Sequence, residues 1–253
     1  MALVFIDLDG TALEDGKPAK GIVRTISDLK RNGHVPVIAT GRTPHLLYGV
    51  DRLLGIPDYI AANGNYIKYG GNVIYERYIS RDVLARMLKR ADEIGADLVL
   101  EGVAGYVAWR RDTDFVDRFS DAFRIEYPVL DRAYPEQNDV LSFIVFSDRD
   151  AEILRGEFPE LAFNRSNRFG YDVNLAGNLK ADGVNRLVNY LGYPADHVYA
   201  IGDGLNDVSM LKAVKNGIAM GNGCPEAKAA AVHVTSSVGD DGVRNALAHF
   251  GLL

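Results

Sequence analysis

The chain has 253 residues, 47% of them hydrophobic and 25% charged, and a net charge of −6. That length suits one large domain or two of ordinary size. The acidic balance argues against general nucleic-acid binding, which usually shows as a basic surplus. No apolar stretch approaches the ~18 residues of a membrane helix. The single cysteine, Cys224, forbids an intramolecular disulfide, and Asp7 interrupts the N-terminal apolar run too early for a signal peptide. A cytoplasmic protein with no membrane partner is the expectation.

Leu3–Ile6 reads as a buried strand that ends at once in Asp7-Leu8-Asp9-Gly10-Thr11. Residues 21–31 carry Ile22, Ile26 and Leu29 at helical spacing, with Gly33 as a stop. Val35–Ala39 is the next strand and runs into Thr40-Gly41-Arg42. A helix is expected over 44–54 with Thr43 as its N-cap, followed by a strand over 58–61. Asn63-Gly64 and Gly70-Gly71 punctuate two short β segments, 66–69 and 73–76, that read as a hairpin. The alternation returns at the C-terminus. Helices are expected over 183–191, 207–214, 225–230 and 242–250, and strands over 197–201, 217–220 and 232–235. Strands alternating with helices imply a mainly parallel sheet covered on both faces.

The middle of the chain has a different texture. Residues 98–100, 106–110, 141–146 and 171–173 are strand-like, with helical stretches over 81–94 and 149–158. This reads as an α+β insert interrupting the α/β domain. Within it, Trp109 reads as core packing, Glu101 and Tyr106 as possible pocket lining, and Arg165 and Arg168 as candidates to meet an anionic substrate.

In open parallel sheets, ligands bind outside the carboxyl ends of the strands. The strand at 197–201 ends in Gly202-Asp203-Gly204-Leu205-Asn206-Asp207, so Asp7, Asp9, Thr40, Asp203 and Asp207 are expected on one rim. Carboxylates gathered there repel one another unless a cation intervenes. The lone cysteine and scattered histidines offer no zinc spacing; an all-oxygen set favours Mg²⁺. Lys180, opening a helical pattern as the chain returns from the insert, is a candidate phosphate-holding cation.

These motifs resemble the haloacid dehalogenase superfamily of phosphohydrolases, and within it the Cof-like branch with a large α/β cap (subclass IIB). Asp7-Leu8-Asp9-Gly10-Thr11 is similar to the family's first motif, Thr40 with Gly41-Arg42 to its second, Lys180 to its third, and Gly202–Asp207 to its fourth; Asn63-Gly64 matches a turn common in this branch. The family's lysine is usually followed directly by glycine, whereas Ala181 and Asp182 precede Gly183 here. The resemblance implies a doubly wound, Rossmann-like α/β core over 1–81 and 178–253, with an α+β cap over 82–177 that selects substrate. It implies Mg²⁺-dependent hydrolysis of small phosphorylated metabolites, such as sugar phosphates. Asp7 would be the nucleophile and Asp9 the acid and base. Thr40 and Lys180 would stabilise the phosphoryl group. Asp7, Asp9 (through its carbonyl) and Asp203 would hold metal, and Asp207 would hold it through water or orient Lys180. Gly41, Arg42, Asn63, Gly64, Arg165 and Asn206 would contact substrate. A phosphomutase and a non-catalytic metabolite sensor are the rival readings; oligomeric state stays open.

Overall fold

Leu3–Ile6, Val35–Ala39 and Val198–Gly202 are nearly continuous apolar runs, which fit strands buried on both faces. The computed structural model, which describes residues 1–123, 125–165, 169–177 and 179–253, sets them side by side in parallel. Ile6 is level with Ile38 on one neighbour and Ile201 on the other. The full sheet has eight strands, in the order His233–Val234, Asn216–Ala219, Val198–Gly202, Leu3–Ile6, Val35–Ala39, Tyr59–Ala61, Tyr66–Tyr69, Asn72–Glu76. The first six are parallel, and the last two form an antiparallel hairpin at one edge. The order reverses about Leu3–Ile6: the chain winds outward to one side first and returns to the other from residue 198. This is the doubly wound architecture, and a crevice opens at such a switch point.

The helix Ile22–Arg31 buries Ile22, Thr25, Ile26 and Leu29, one stripe of a 3.6-residue repeat, and closes on Lys30 and Arg31, which suit the negative end of its dipole. The helix Lys180–Leu191 buries Gly183, Val184 and Leu187. A Cβ on Gly183 would lie 2.6 Å from Ile60 Cγ2 and 2.9 Å from Gly64 Cα, so glycine at 183 lets this helix seat against the 62–64 turn.

Residues 44–54 do not form one helix. A 3₁₀ turn, His45–Leu47, is followed by a separate short helix, Val50–Leu53. Tyr48 and Gly49 lie between them at φ 49° and 79°, left-handed values that break a right-handed helix. Thr43 Oγ1 is buried without a hydrogen-bond partner among the described residues, so Thr43 is no N-cap.

The chain divides into two compact units. Met1–Gly41, Leu47–Glu76 and Leu179–Leu253 form the first; Arg42–Leu46 and Arg77–Asn178 form the second. Among the described residues, the division differs from the sequence expectation at two places. Residues 77–81 belong with the insert because Ile79 donates its N–H to Val140 O at 2.9 Å and packs in the insert's main apolar cluster. Residues 42–46 group with it because Leu46 joins a second cluster there and His45 pairs with Glu126.

The second unit is a six-stranded, largely antiparallel sheet, ordered Val129–Leu130, Tyr106–Arg110, Leu98–Gly102, Val140–Val145, Tyr171–Leu175, Leu161–Arg165. The helices Arg81–Ile94 and Asp148–Glu157 pack Met87, Leu88, Ala151 and Leu154 with Leu98, Leu100, Phe143 and Val173 on one face. A helix that the periodicity did not reveal, Phe115–Phe123, packs Val116 and Phe119 with Val99, Ala108 and Ile144. Trp109 is packed as expected: it lies against the main cluster, donates Nε1–H to Asp92 at 3.1 Å, and carries the Arg132 guanidinium 4.0 Å over its ring. No helix among the described residues is long and apolar enough to cross a membrane.

Candidate active site

Asp7 continues the central strand by one residue, and its N–H donates to Ile201 O at 3.0 Å, so the backbone is still tied to the sheet where the carboxylate begins. Its side chain is buried and meets Lys180, whose Nζ donates to Asp7 Oδ1 at 2.8 Å and to Asp207 Oδ1 at 2.5 Å. Lys180 is only 1% exposed, so both contacts lie away from solvent screening. The other oxygen of Asp207 accepts the backbone N–H groups of Asp203 and Gly204, each at 2.9 Å. Asp207 thereby fixes Lys180 with one oxygen and the Gly202–Gly204 turn with the other.

One carboxylate oxygen from each of Asp7, Asp203 and Asp207 lies within 4.8 Å of the others. Burial, and then the neighbouring Asp207, raises the Asp7 carboxyl well above its ordinary range, against the pull of Lys180. Asp203 is pushed up to about 6, by burial first and Asp207 second. Lys180 is held above its ordinary range although burial opposes its charge, because Asp207 and Asp7 outweigh that cost. For Asp7 and Asp203 the causes agree: burial comes first and the neighbouring Asp207 second, and the one ammonium only partly offsets them. A divalent cation fits that deficit, and the donors are all oxygen, as Mg²⁺ prefers. Asp7, Asp203 and Asp207 each offer an oxygen to such an ion, and Lys180 also engages Asp7 and Asp207.

Asp9 has an exposed side chain outside this cluster, so the two aspartates of the first motif meet different surroundings. Thr40 is buried at the end of its strand, with its N–H on Ile60 O at 2.9 Å and its carbonyl accepting from Asn63 N at 3.1 Å. Asn63 is reached through left-handed residues, Ala62 at φ 48° and Asn63 itself at 52°, and its Oδ1 accepts from Asn206 Nδ2 at 3.3 Å. A Cβ on Gly41 would lie 3.3 Å from both amide side chains, so Gly41, Asn63 and Asn206 converge.

Other expected residues have different surroundings. Gly64 is buried, and a Cβ there would lie 2.8 Å from Leu179 O and 3.1 Å from Gly183 N, so it packs closely under the lysine helix. Arg42 lies in the second unit and donates to Leu46 O at 3.2 Å. Arg165 is paired with Asp148 and Tyr171 at the end of its strand, so its charge is already engaged. Arg168 lies outside the described residues. Asp182, which separates Lys180 from Gly183, accepts the Leu179 N–H at 2.7 Å and so caps the helix that carries the lysine.

Two residues escaped the sequence reading. Thr11 Oγ1 donates to Asp203 Oδ1 at 3.2 Å. Asn222 Nδ2 donates to Gly10 O at 2.9 Å and to Asp203 Oδ2 at 3.4 Å. Gly221-Asn222-Gly223 follows the strand Asn216–Ala219, so the strand-end rule that found Asp203 would have found Asn222 if applied one strand further.

A doubly wound sheet with a carboxylate-lysine cluster at its switch point defines a class, and sequence comparison gives it a name. The chain belongs to the haloacid dehalogenase-like hydrolase family, whose profile matches residues 4–247. It is a phosphohydrolase of the Cof-like branch. It is similar to YkrA of Bacillus subtilis (strain 168), named as a candidate phosphatase: 33% identity over 252 residues, covering 99% of this chain and 98% of that one. A crystal structure of a hypothetical protein from Geobacillus kaustophilus HTA426 superposes with a TM-score of 0.93 at 32% identity, covering 100% and 99% of the two chains. The subclass IIB sugar phosphatase BT4131 superposes with a TM-score of 0.85 at 25% identity over 100% of both chains.

Proposed function

We propose that the protein hydrolyses small phosphomonoesters, sugar phosphates first among them, with Mg²⁺ and through an aspartyl phosphate on Asp7. The observation that carries this reading is the buried Lys180 bridging Asp7 and Asp207 beside Asp203. The sugar phosphatase among the structural relatives supports the substrate class. Mg²⁺ held by the Asp7 and Asp203 carboxylates and the Asp9 carbonyl would neutralise charge on the phosphoryl group and keep Asp7 ionised.

The remaining steps belong to the chain's own residues. An Asp7 oxygen attacks phosphorus, the bond from phosphorus to the leaving oxygen breaks, and Asp9 gives that oxygen its proton. Asp9 then takes a proton from water as the water oxygen attacks the same phosphorus. The bond to Asp7 breaks and inorganic phosphate leaves. The exposed side chain of Asp9 and the buried one of Asp7 support this division, since an acid and a nucleophile need different surroundings. Lys180 and Thr40 stabilise the charge that develops on the phosphoryl oxygens. Gly41, Asn63 and Asn206 line the phosphate's approach, and the second unit selects the leaving group.

The test is inorganic phosphate release from a panel of sugar monophosphates and p-nitrophenyl phosphate, with wild type and Asp7→Asn. Mg²⁺-dependent release that Asp7→Asn abolishes is expected. Sugar phosphate isomerised without phosphate release would favour the phosphomutase, and no turnover of any ester would favour the sensor.

A further inference from the structure

Asp203 is held by several backbone and side-chain partners. Its N–H donates to Asp207, its carbonyl accepts from Cys224 N at 2.9 Å, and its Oδ1 accepts from Thr11. The remaining contact comes from Asn222, and that contact does more than fill a lone pair. Asn222 Nδ2 reaches Asp203 Oδ2 at 3.4 Å and Gly10 O at 2.9 Å, while its Oδ1 accepts the N–H of Val238 at 2.9 Å. One amide thus ties together the loop after Asp7 and Asp9, the loop carrying Asp203, and the 3₁₀ turn Val238–Asp240. The Gly10 end is demanding. Gly10 sits at φ 80°, and a Cβ there would lie 2.3 Å from Asp203 Oδ2, so the two loops approach as closely as a glycine permits.

An amide is the side chain this place requires. It donates to a carboxylate and a carbonyl while accepting from a backbone N–H, and it adds no charge to a cluster already rich in carboxylates. An aspartate there would turn two donor contacts into repulsions.

We infer that Asn222 is a positioning residue for the divalent cation: it holds the Asp203 carboxylate and, through Gly10, the Asp7–Asp9 loop at the spacing the ion requires. This rests on the reading that Asp203 holds such an ion. The expected effect follows from what outer partners of ligating carboxylates contribute, about 10–100-fold in metal affinity. Substrate affinity should be unaffected, because Asn222 faces Gly10, Asp203 and Val238.

The experiment measures Mn²⁺ binding to the full chain by the loss of the free-ion signal in electron paramagnetic resonance. Wild type, Asn222→Ala, Asn222→Asp and Asn245→Ala are compared, alongside the Mg²⁺ dependence of p-nitrophenyl phosphate hydrolysis. Asn245 serves as control because its side-chain amide donates to Ser236 Oγ and Asp240 O in the same region. Asn222→Ala should bind Mn²⁺ at least about tenfold more weakly, require correspondingly more Mg²⁺, and recover much of its kcat with unchanged KM once Mg²⁺ is in excess. Asn222→Asp should not rescue affinity, and Asn245→Ala should match wild type. Mn²⁺ affinity in Asn222→Ala within about twofold of wild type would overturn the positioning role, whatever the melting temperature does. No Mn²⁺ binding by wild type would overturn the reading of Asp203 itself, and this inference with it.

Discussion

Replacing Lys180 by methionine keeps the aliphatic stem and removes the buried ammonium that meets Asp7 at 2.8 Å and Asp207 at 2.5 Å. Breaking a buried charge pair from one side costs about 3–5 kcal/mol, because the partner is left without compensation. Asp207 keeps the N–H donors of Asp203 and Gly204, which softens its loss, whereas the Asp7 carboxylate loses its hydrogen bond from the lysine. The middle of that range, about 4 kcal/mol, is the expected loss in metal-free protein. At roughly 2–4 °C per kcal/mol for a domain of this size, the Tm should fall by on the order of 8–16 °C. The pH dependence identifies the cause. Burial already raises the Asp7 carboxyl with Lys180 present, and removing the lysine raises it further. An acid whose folded pKa exceeds its unfolded value binds more protons when native, so stability falls as pH rises between the two values. The deficit of Lys180→Met should therefore shrink as pH is lowered through the range in which Asp7 takes up its proton in the folded variant. Thermal unfolding of EDTA-treated wild type and variant, followed by circular dichroism across a pH series, measures it. A deficit under about 1 kcal/mol at neutral pH, or one that changes nowhere in the series, would refute the buried bridge as described.

Metal removal should act on the same cluster: EDTA should abolish phosphatase activity and Mg²⁺ restore it. Because Asp203 is pushed up to about 6 from an ordinary 3.8, metal-free protein should lose stability as pH rises across that window, and saturating Mg²⁺ should remove the trend; a Tm profile insensitive to EDTA would contradict it. Asp9→Asn should slow both half-reactions by about 10²-fold or more; rapid stoichiometric leaving-group release with accumulation of phosphorylated protein would confine Asp9 to the second. In the insert, Glu101 is buried on a central strand, with Ser142 Oγ donating to it at 2.5 Å. Burial first, then Asp172, pushes its carboxyl up to about 8. Its folded pKa exceeds its unfolded one, so ionisation of the unfolded chain increasingly penalises wild type as pH rises toward about 8. Glu101→Gln should gain on wild type by up to about 1.4 kcal/mol per pH unit in that interval, and a stability difference independent of pH would exclude this account.

Much of the fold and part of the site are local properties of the chain. A parallel strand buried on both faces must be an unbroken apolar run, and a carboxylate at its carboxyl end stands out against it, as Asp7 does after Leu3–Ile6 and Asp203 does after Val198–Gly202. Those contrasts are legible without coordinates, and so are the helix stripe of Ile22, Ile26 and Leu29 and the hairpin that follows Asn63-Gly64. The partners of those carboxylates were not. Lys180 meets Asp7 across 173 positions and Asn222 meets Gly10 across 212, and no spacing along the chain encodes either approach. The break at Tyr48-Gly49 and the seating of Gly183 on Gly64 were decided the same way, by what neighbouring elements leave room for. Apolar periodicity records which face of an element is buried. Which polar group meets which depends on strand order and on the closeness of backbones, and both exist only once the sheet has assembled.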